Sequence, residues 1–264
     1  MNRSWVEATK AQYDDDTNLA ARQAAFHYLV EAEPMPPPLS DFAVLSGLRV
    51  LDVGCGNGLF LSGAANGGAV AFGADLSAGM LTSAAEAAPG SPLLRADAVA
   101  LPVADGSIDV TMALWMLYHV EAHPAAVAEL RRVTKPDGYA VVSTNTGRRS
   151  FLDDLVEQAL ETTLGRAVDS WIPQLSFTGE NGQAILSTAF DQIESHVGGN
   201  RFRFTDTEVV VRYVGSMTDA VAAANGPFRT EDLLAEVGRL TEAEIARSGA
   251  VELAQQRTVF ICRG

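Results

Sequence analysis

Two cysteines in 264 residues, Cys55 and Cys262, are too few for a disulfide framework or a cysteine-rich zinc site. Their scarcity points to a reducing compartment. Basic residues are scarce too: 19 Lys and Arg stand against 33 Asp and Glu, for a net charge of −14. The imbalance is spread along the chain, with 16 acids and 8 bases through Thr146 and 17 and 11 beyond it. A diffuse negative field repels phosphate backbones and anionic lipid, and no run of Lys and Arg counters it. Neither nucleic acid nor a membrane surface is therefore expected as a partner. No apolar run reaches the ~20 residues of a membrane span, and the opening Met1-Asn2-Arg3-Ser4-Trp5 has no apolar signal core. The expectation is a cytoplasmic protein. His27, His123 and His196 lack metal-ligand spacing, so no metal is expected. The sequence leaves the oligomeric state open, a homo-oligomer included.

What is present is a chain 47% hydrophobic, with 23 Gly and 11 Pro, too apolar for disorder. Residues 1–33 read as helical, with Pro34-Met35-Pro36-Pro37-Pro38 as a stop. From Leu48 onward, short apolar runs at 49–53, 69–75, 93–97, 108–113 and 139–143 alternate with helical stretches near 58–67, 77–88 and 122–134. That rhythm is the signature of βαβ units in a doubly wound parallel sheet. Beyond Thr146 it stops. Residues 150–166 form an amphipathic helix, 181–189 another, and a strand follows through Ile193. Arg201-Phe202-Arg203-Phe204 alternates like a strand, Thr230 is a candidate helix N-cap, and 257–262 is a last strand. The expected division is an N-terminal lid at 1–42, a core at 43–146, and a remainder at 147–264 with helical caps near 147–180 and 206–248.

The strongest local signal is Val50-Leu51-Asp52-Val53-Gly54-Cys55-Gly56-Asn57-Gly58. A buried strand runs into three glycines and then a helix, which lets the backbone turn sharply and approach a ligand closely. Dinucleotide folds space the glycines G-x-G-x-x-G to fit a pyrophosphate. Here the spacing is G-x-G-x-G with Asp52 before it, and a carboxylate there suits an ammonium or sulfonium group better than a phosphate.

This segment resembles motif I of the class I S-adenosylmethionine-dependent methyltransferases. Asp75 at the end of the next strand, Asp97-Ala98 after the third, Leu101-Pro102, Asp105 to Asp109 and Glu129 to Gly138 agree in order. The core is similar to quinone-biosynthesis and secondary-metabolite members, although Asp137 stands where the family more often has Gly. The stretch Tyr13-Asp14, Asn18-Leu19 and Arg22 resembles the lid of small-molecule members. The resemblance implies a Rossmann-like seven-stranded sheet with lid insertions, and S-adenosylmethionine as cofactor. It implies Tyr13, Arg22, Asp52, Gly54, Cys55, Gly56, Gly58, Asp75, Leu76, Asp97, Ala98 and Leu114 as its contacts. Asp75 would take the ribose hydroxyls, and Asp97 with Ala98 the adenine edge.

The acceptor is expected to be a small molecule, methylated on O, N or C, as in natural-product metabolism. Trp115, Tyr118, Asn145 and Arg148 are its candidate contacts, and His119 the candidate base. Each has a plainer reading as packing or turn structure. Trp5, Trp171, Phe177 and Tyr213 would line an acceptor pocket or pack the caps, and packing is the safer expectation. Cys55 contributes backbone, not a nucleophile, since no base lies near it in sequence. Two competing readings are a cofactor-binding protein without turnover and an NAD-dependent dehydrogenase, the latter disfavoured by the glycine spacing.

Overall fold

The computed structural model describes Tyr13, residues 15–146 and residues 149–264. They divide into two compact units. The core unit comprises the described residues of Pro34–Gly147, Leu175–Gly198 and Arg257–Gly264, and the second unit those of Met1–Glu33, Arg148–Gln174 and Gly199–Gln256.

The core unit is built from β2 (Arg49–Val53), α2 (Leu59–Asn66), β3 (Val70–Asp75), α3 (Ala78–Ala87), β4 (Leu93–Arg95), β5 (Ile108–Leu114), α4 (His123–Val133) and β6 (Thr134–Thr146). A short helix α6 (Gly182–Leu186) follows, then parts of the long strands β7 (Gln192–Phe204) and β8 (Val251–Arg263). The pairs β2–β3, β2–β5, β3–β4 and β5–β6 are all parallel. With β1 (Leu29–Ala32) included, the strand order is β1-β7-β8-β6-β5-β2-β3-β4. The order reverses between β5 and β2, where open α/β sheets leave a crevice at the strands' carboxyl ends.

Period-two alternation sends the strand side chains to two apolar layers. Leu51, Val53, Ala140, Val142, Phe260 and Cys262 face one layer, covered by Ala126, Val127, Leu130 and Val133 of α4. Val50, Val110, Met112, Val141 and Ile261 face the other, with Leu61 and Ala64 of α2. A sheet covered on both faces explains why these strands are continuous apolar runs.

The second unit holds α1 (Thr17–Ala24), β1, α5 (Phe151–Leu164), α7 (Thr207–Gly215), α8 (Thr218–Asn225), α9 (Thr230–Ser248) and the remaining parts of β7 and β8. Its core joins Leu152, Leu155, Val156, Ala159 and Leu160 of α5 to Phe202, Phe204, Val210, Val214, Leu233 and Val237.

The α/β class and the first strands and helices match the sequence pattern, and several boundaries move. Residues 29–32, expected as helix, form an eighth strand because β7 offers an antiparallel edge, pairing Leu29 with Phe202 and Ala32 with Asn200. The two strand segments expected near 193 and 201–204 are one strand. The last strand starts at Val251, six residues before the alternation becomes apolar. Thr230 is the first helical residue, not the cap, and Arg229 precedes it without capping through its side chain. In β6 the register slips between the pairs Ile108–Thr134 and Val110–Tyr139. Gly138 is required there, because a Cβ would lie 2.5 Å from the Asp109 carbonyl oxygen, whereas Asp137 is exposed. The family-atypical Asp137 therefore sits where a side chain is tolerated.

Candidate active site

The turn after β2 is fixed by backbone before any side chain is considered. Gly54, Gly56 and Gly58 all have positive φ, at 68°, 53° and 83°. The N–H groups of Gly54 and Cys55 donate to the Ala74 carbonyl at 2.7 and 3.1 Å, tying the turn to the end of β3. Two of the glycines are also needed for close packing. A Cβ on Gly54 would lie 2.7 Å from Met116 Cβ, and one on Gly58 would lie 2.9 Å from Ala84 Cα. Glycine thus does two jobs here, one conformational and one steric.

Asp75 closes the turn from β3. One carboxylate oxygen accepts from Gly56 N–H at 2.9 Å, and the other from Ser77 N–H at 2.9 Å. Ser77 in turn caps α3 by accepting from Met80 N–H at 3.2 Å. Burial raises the Asp75 pKa above the usual carboxylate range, and these N–H groups oppose that. A carboxylate has about four acceptor positions, and the N–H groups of Gly56, Ser77 and Leu76 are directed at this one.

Asp52 has a different place. It is 2% exposed, and its carboxyl accepts from the Leu61 N–H in the first turn of α2. Gly58, at the N-cap position, has no side chain to do this, so the carboxyl from the preceding strand caps the helix. Desolvation first, and then the charge of Asp75, push Asp52 up to about 8. Of the two roles considered for it, ordering the loop is the one its buried contacts display. Cys55 is buried as well, and burial together with Asp52 and Asp75 pushes its thiol upward. That holds the sulfur protonated and unreactive.

Asp97 lies exposed beyond β4, its side chain accepting from Val99 N–H at 3.2 Å, while Ala98 is buried. The loop that follows is clamped by Arg132, which donates to the carbonyls of Leu101 and Val103 and to Asp105 and Glu129. Glu129 also accepts from Leu101 N–H. The Glu129–Arg132 pair in the recognised motif is thus scaffold for the 97–105 loop. Leu76 is exposed beside Asp75, and Leu114 is buried at the end of β5.

The chain leaves β5 through Trp115, which has φ 52°, the left-handed region that a bulky side chain rarely adopts. Its N–H donates to the Ser143 carbonyl at 3.0 Å and lies 3.2 Å from Ser143 Oγ. The indole stacks on Phe60, centroids 5.5 Å apart and planes 20° off parallel, and Nε1 donates to Asn145 Oδ1 at 3.0 Å. Phe60 carried no motif signal; only its position, two residues past the glycine turn, marks it. Beyond Trp115, His119 packs on Tyr118 with ring centroids 4.4 Å apart. His123 is held by Ser176 Oγ at 3.3 Å and by the Leu117 backbone, and burial lowers its pKa.

The expected residues are divided between the two units. Tyr13 and Arg22 belong to the second unit, where the Arg22 guanidinium lies 5.2 Å over the Tyr13 ring and donates to the Ser216 carbonyl at 3.1 Å. Arg148, Asp14 and Trp5 lie outside the described residues. Trp171, Phe177 and Tyr213 are buried and pack their own units. Among the described residues, no group of three His, Cys, Asp or Glu side chains is placed to hold a metal, and no helix is long and apolar enough to cross a membrane.

Residues 51–142 match the family described as "Methyltransferase domain". Among curated proteins, the chain is 42% identical over 101 residues to the malonyl-[acyl-carrier protein] O-methyltransferase of Erwinia pyrifoliae, covering 38% of each chain. It is 39% identical over 97 residues to the demethylmenaquinone methyltransferase of Renibacterium salmoninarum, covering 37% of this chain and 41% of that one. The match thus spans about two fifths of these relatives' length. A solved structure named as a type II methyltransferase from Anaeromyxobacter dehalogenans superposes with a TM-score of 0.61 at 21% identity, covering 87% of this chain and 96% of that one. The shared segment is the one that builds the glycine turn, Asp75, the Asp97 loop and the Arg132 clamp, and over residues 51–142 the chain is similar to a methyltransferase domain.

Proposed function

We propose that the chain binds S-adenosylmethionine at the carboxyl edge of β2, β3 and β4 and transfers its methyl group to a small-molecule acceptor beside the end of β5. The observation that carries this reading is the glycine turn held by the Asp75 carboxylate at the carboxyl end of β3. The donor set fits the cofactor. A carboxylate at the end of β3 suits a vicinal diol, and Asp97 beside the buried Ala98 suits an exocyclic amine and ring edge. The charge of Asp75, close enough to raise Asp52, makes the edge acidic, which favours a sulfonium with an ammonium over a pyrophosphate.

When bound, the cofactor supplies an electrophilic methyl group, so the chain need not generate a strong reagent. Its own contribution is orientation, which is worth roughly 7–11 kcal/mol for two well-placed reactants. Gly54, Gly56, Gly58, Asp75, Leu76 and Asp97 hold one reactant, and Trp115, Tyr118 and Asn145 the other. On the segment after β5, His119 is the base for an acceptor proton in this reading. The relatives are named for malonyl-[acyl-carrier protein] and for demethylmenaquinone, so carboxylic and quinol oxygens and activated ring carbon are the acceptors to try first.

The test is a calorimetric titration with S-adenosylhomocysteine beside NAD. Micromolar binding of the first alone, weakened at least about a hundredfold in Asp75→Ala, is expected from the loss of a charged acceptor. Binding of NAD alone, or of neither, overturns the reading. A screen for labelled methyl incorporation then separates a transferase from a protein that binds without turnover.

A further inference from the structure

Phe60 and Trp115 bracket the glycine turn from its two sides. Phe60 opens α2 just past Gly58, and Trp115 precedes Met116, whose side chain presses on Gly54. Trp115 keeps a left-handed backbone that favours glycine, and strain of that kind persists where the surroundings over-determine it. The surroundings are visible. The Ser143 carbonyl takes the Trp115 N–H, Phe60 covers one face of the half-buried indole, and Asn145 takes the Nε1–H.

The last contact has a chemical consequence. An indole N–H only donates, so the Asn145 atom facing it must be the amide oxygen. One lone pair of Oδ1 is taken by the Trp115 N–H, which fixes the orientation of the amide and so of its pair of Nδ2–H donors at the end of β6. Leu114 and Ser143 are register partners, which places Asn145 two residues beyond that pair on the same edge.

We infer that Trp115 fixes Asn145 as a hydrogen-bond donor that selects acceptors presenting a lone-pair oxygen on a flat apolar group, and rejects cationic amines. This rests on the reading of the edge as a methyl-transfer site and narrows its substrate class to carbonyl, carboxylate or phenolate compounds. Trp115 acts here as a positioning residue through the amide, and its ring, stacked on Phe60, forms the flat wall.

The test uses the full chain saturated with S-adenosylhomocysteine and two probes of equal ring size, acetylnaphthalene and naphthylmethylammonium, titrated by calorimetry at moderate salt. The ketone is expected to bind about tenfold more tightly, the scale of one well-made hydrogen bond. Asn145→Asp should invert the order, because a carboxylate accepts from Trp115 and repels lone pairs. Trp115→Phe keeps a stacked ring but removes the Nε1–H, and should reduce the preference to about threefold or less as the amide is released to turn. Equal binding of the probes to the wild type, no binding of either, or a preference untouched by both substitutions overturns the inference. If the probes discriminate as expected but S-adenosylhomocysteine does not bind, the methyl-transfer reading fails instead.

Discussion

The carboxyl edge of the core unit and the interior of the second unit keep their polar groups in opposite conditions. In the second unit they tie elements together. Asp153 accepts from Ser150 N–H and Oγ–H and from Trp171 Nε1, at 2.6, 2.8 and 2.9 Å, locking the start of α5 to the following loop. Tyr213 is buried, with its hydroxyl accepting from Gln255 at 3.2 Å. Asp153 and Tyr213 each have a partner that explains them. At the core edge, Asp52 is buried beside another carboxylate, Trp115 holds a left-handed backbone, and three successive glycines turn with positive φ. These features weaken the fold locally, and perturbed carboxyls and strained backbone gather where a ligand is handled. Under the proposed function, the first set of groups serves architecture and the second serves chemistry.

The largest expected effect breaks the architectural side. Phe204 is fully buried, stacked on Phe202 with centroids 6.2 Å apart and set against Tyr28 and Tyr213. Phe204→Ala should cost about 3–5 kcal/mol in denaturant unfolding, by lost burial and the cavity left. A loss below about 1 kcal/mol would show that this interior is not the packed core its burial indicates.

The chemical side is sharpened by Asp52→Asn. In the folded chain Asp52 keeps its proton up to about 8, whereas an exposed carboxyl in the unfolded chain loses it near 4. Its contribution to stability is therefore complete below about pH 4 and is lost as pH rises through 8. The Asn variant has no such proton, so the wild type should lose stability relative to it between pH 5 and pH 8. Denaturant midpoints for the two proteins at both pH values check this, and parallel profiles would contradict the buried neutral carboxyl. The smallest expected effect returns to the second unit. Ser150→Ala removes one of three donors to Asp153 and should cost about 1 kcal/mol, the usual scale for a helix-start hydrogen bond.

Much of the core was legible because its signals are local. The runs at 49–53 and 108–113 and the helices between them are each specified by a few consecutive residues whose period matches their element. The glycine turn was legible for the same reason, since positive φ is a demand on single residues. The second unit was less so. Residues 29–32 become a strand through an edge about 170 positions away, and Arg22 finds its acceptor at Ser216. A register slip hid in Lys135–Gly138, because the need for Gly138 comes from Asp109 on another strand.

Within the site the same division holds. The sequence by itself determined a strand, a glycine-rich turn and acids at the ends of β2 and β3, because each is written in contiguous residues. Only the tertiary structure decided that Asp52 caps α2, that Met116 rests on Gly54, and that Trp115 turns against Phe60 to orient Asn145. Those relations join strand ends that are neighbours in the sheet and distant in the chain. Hydrogen-bond direction and steric contact are set by that proximity, which no local pattern encodes.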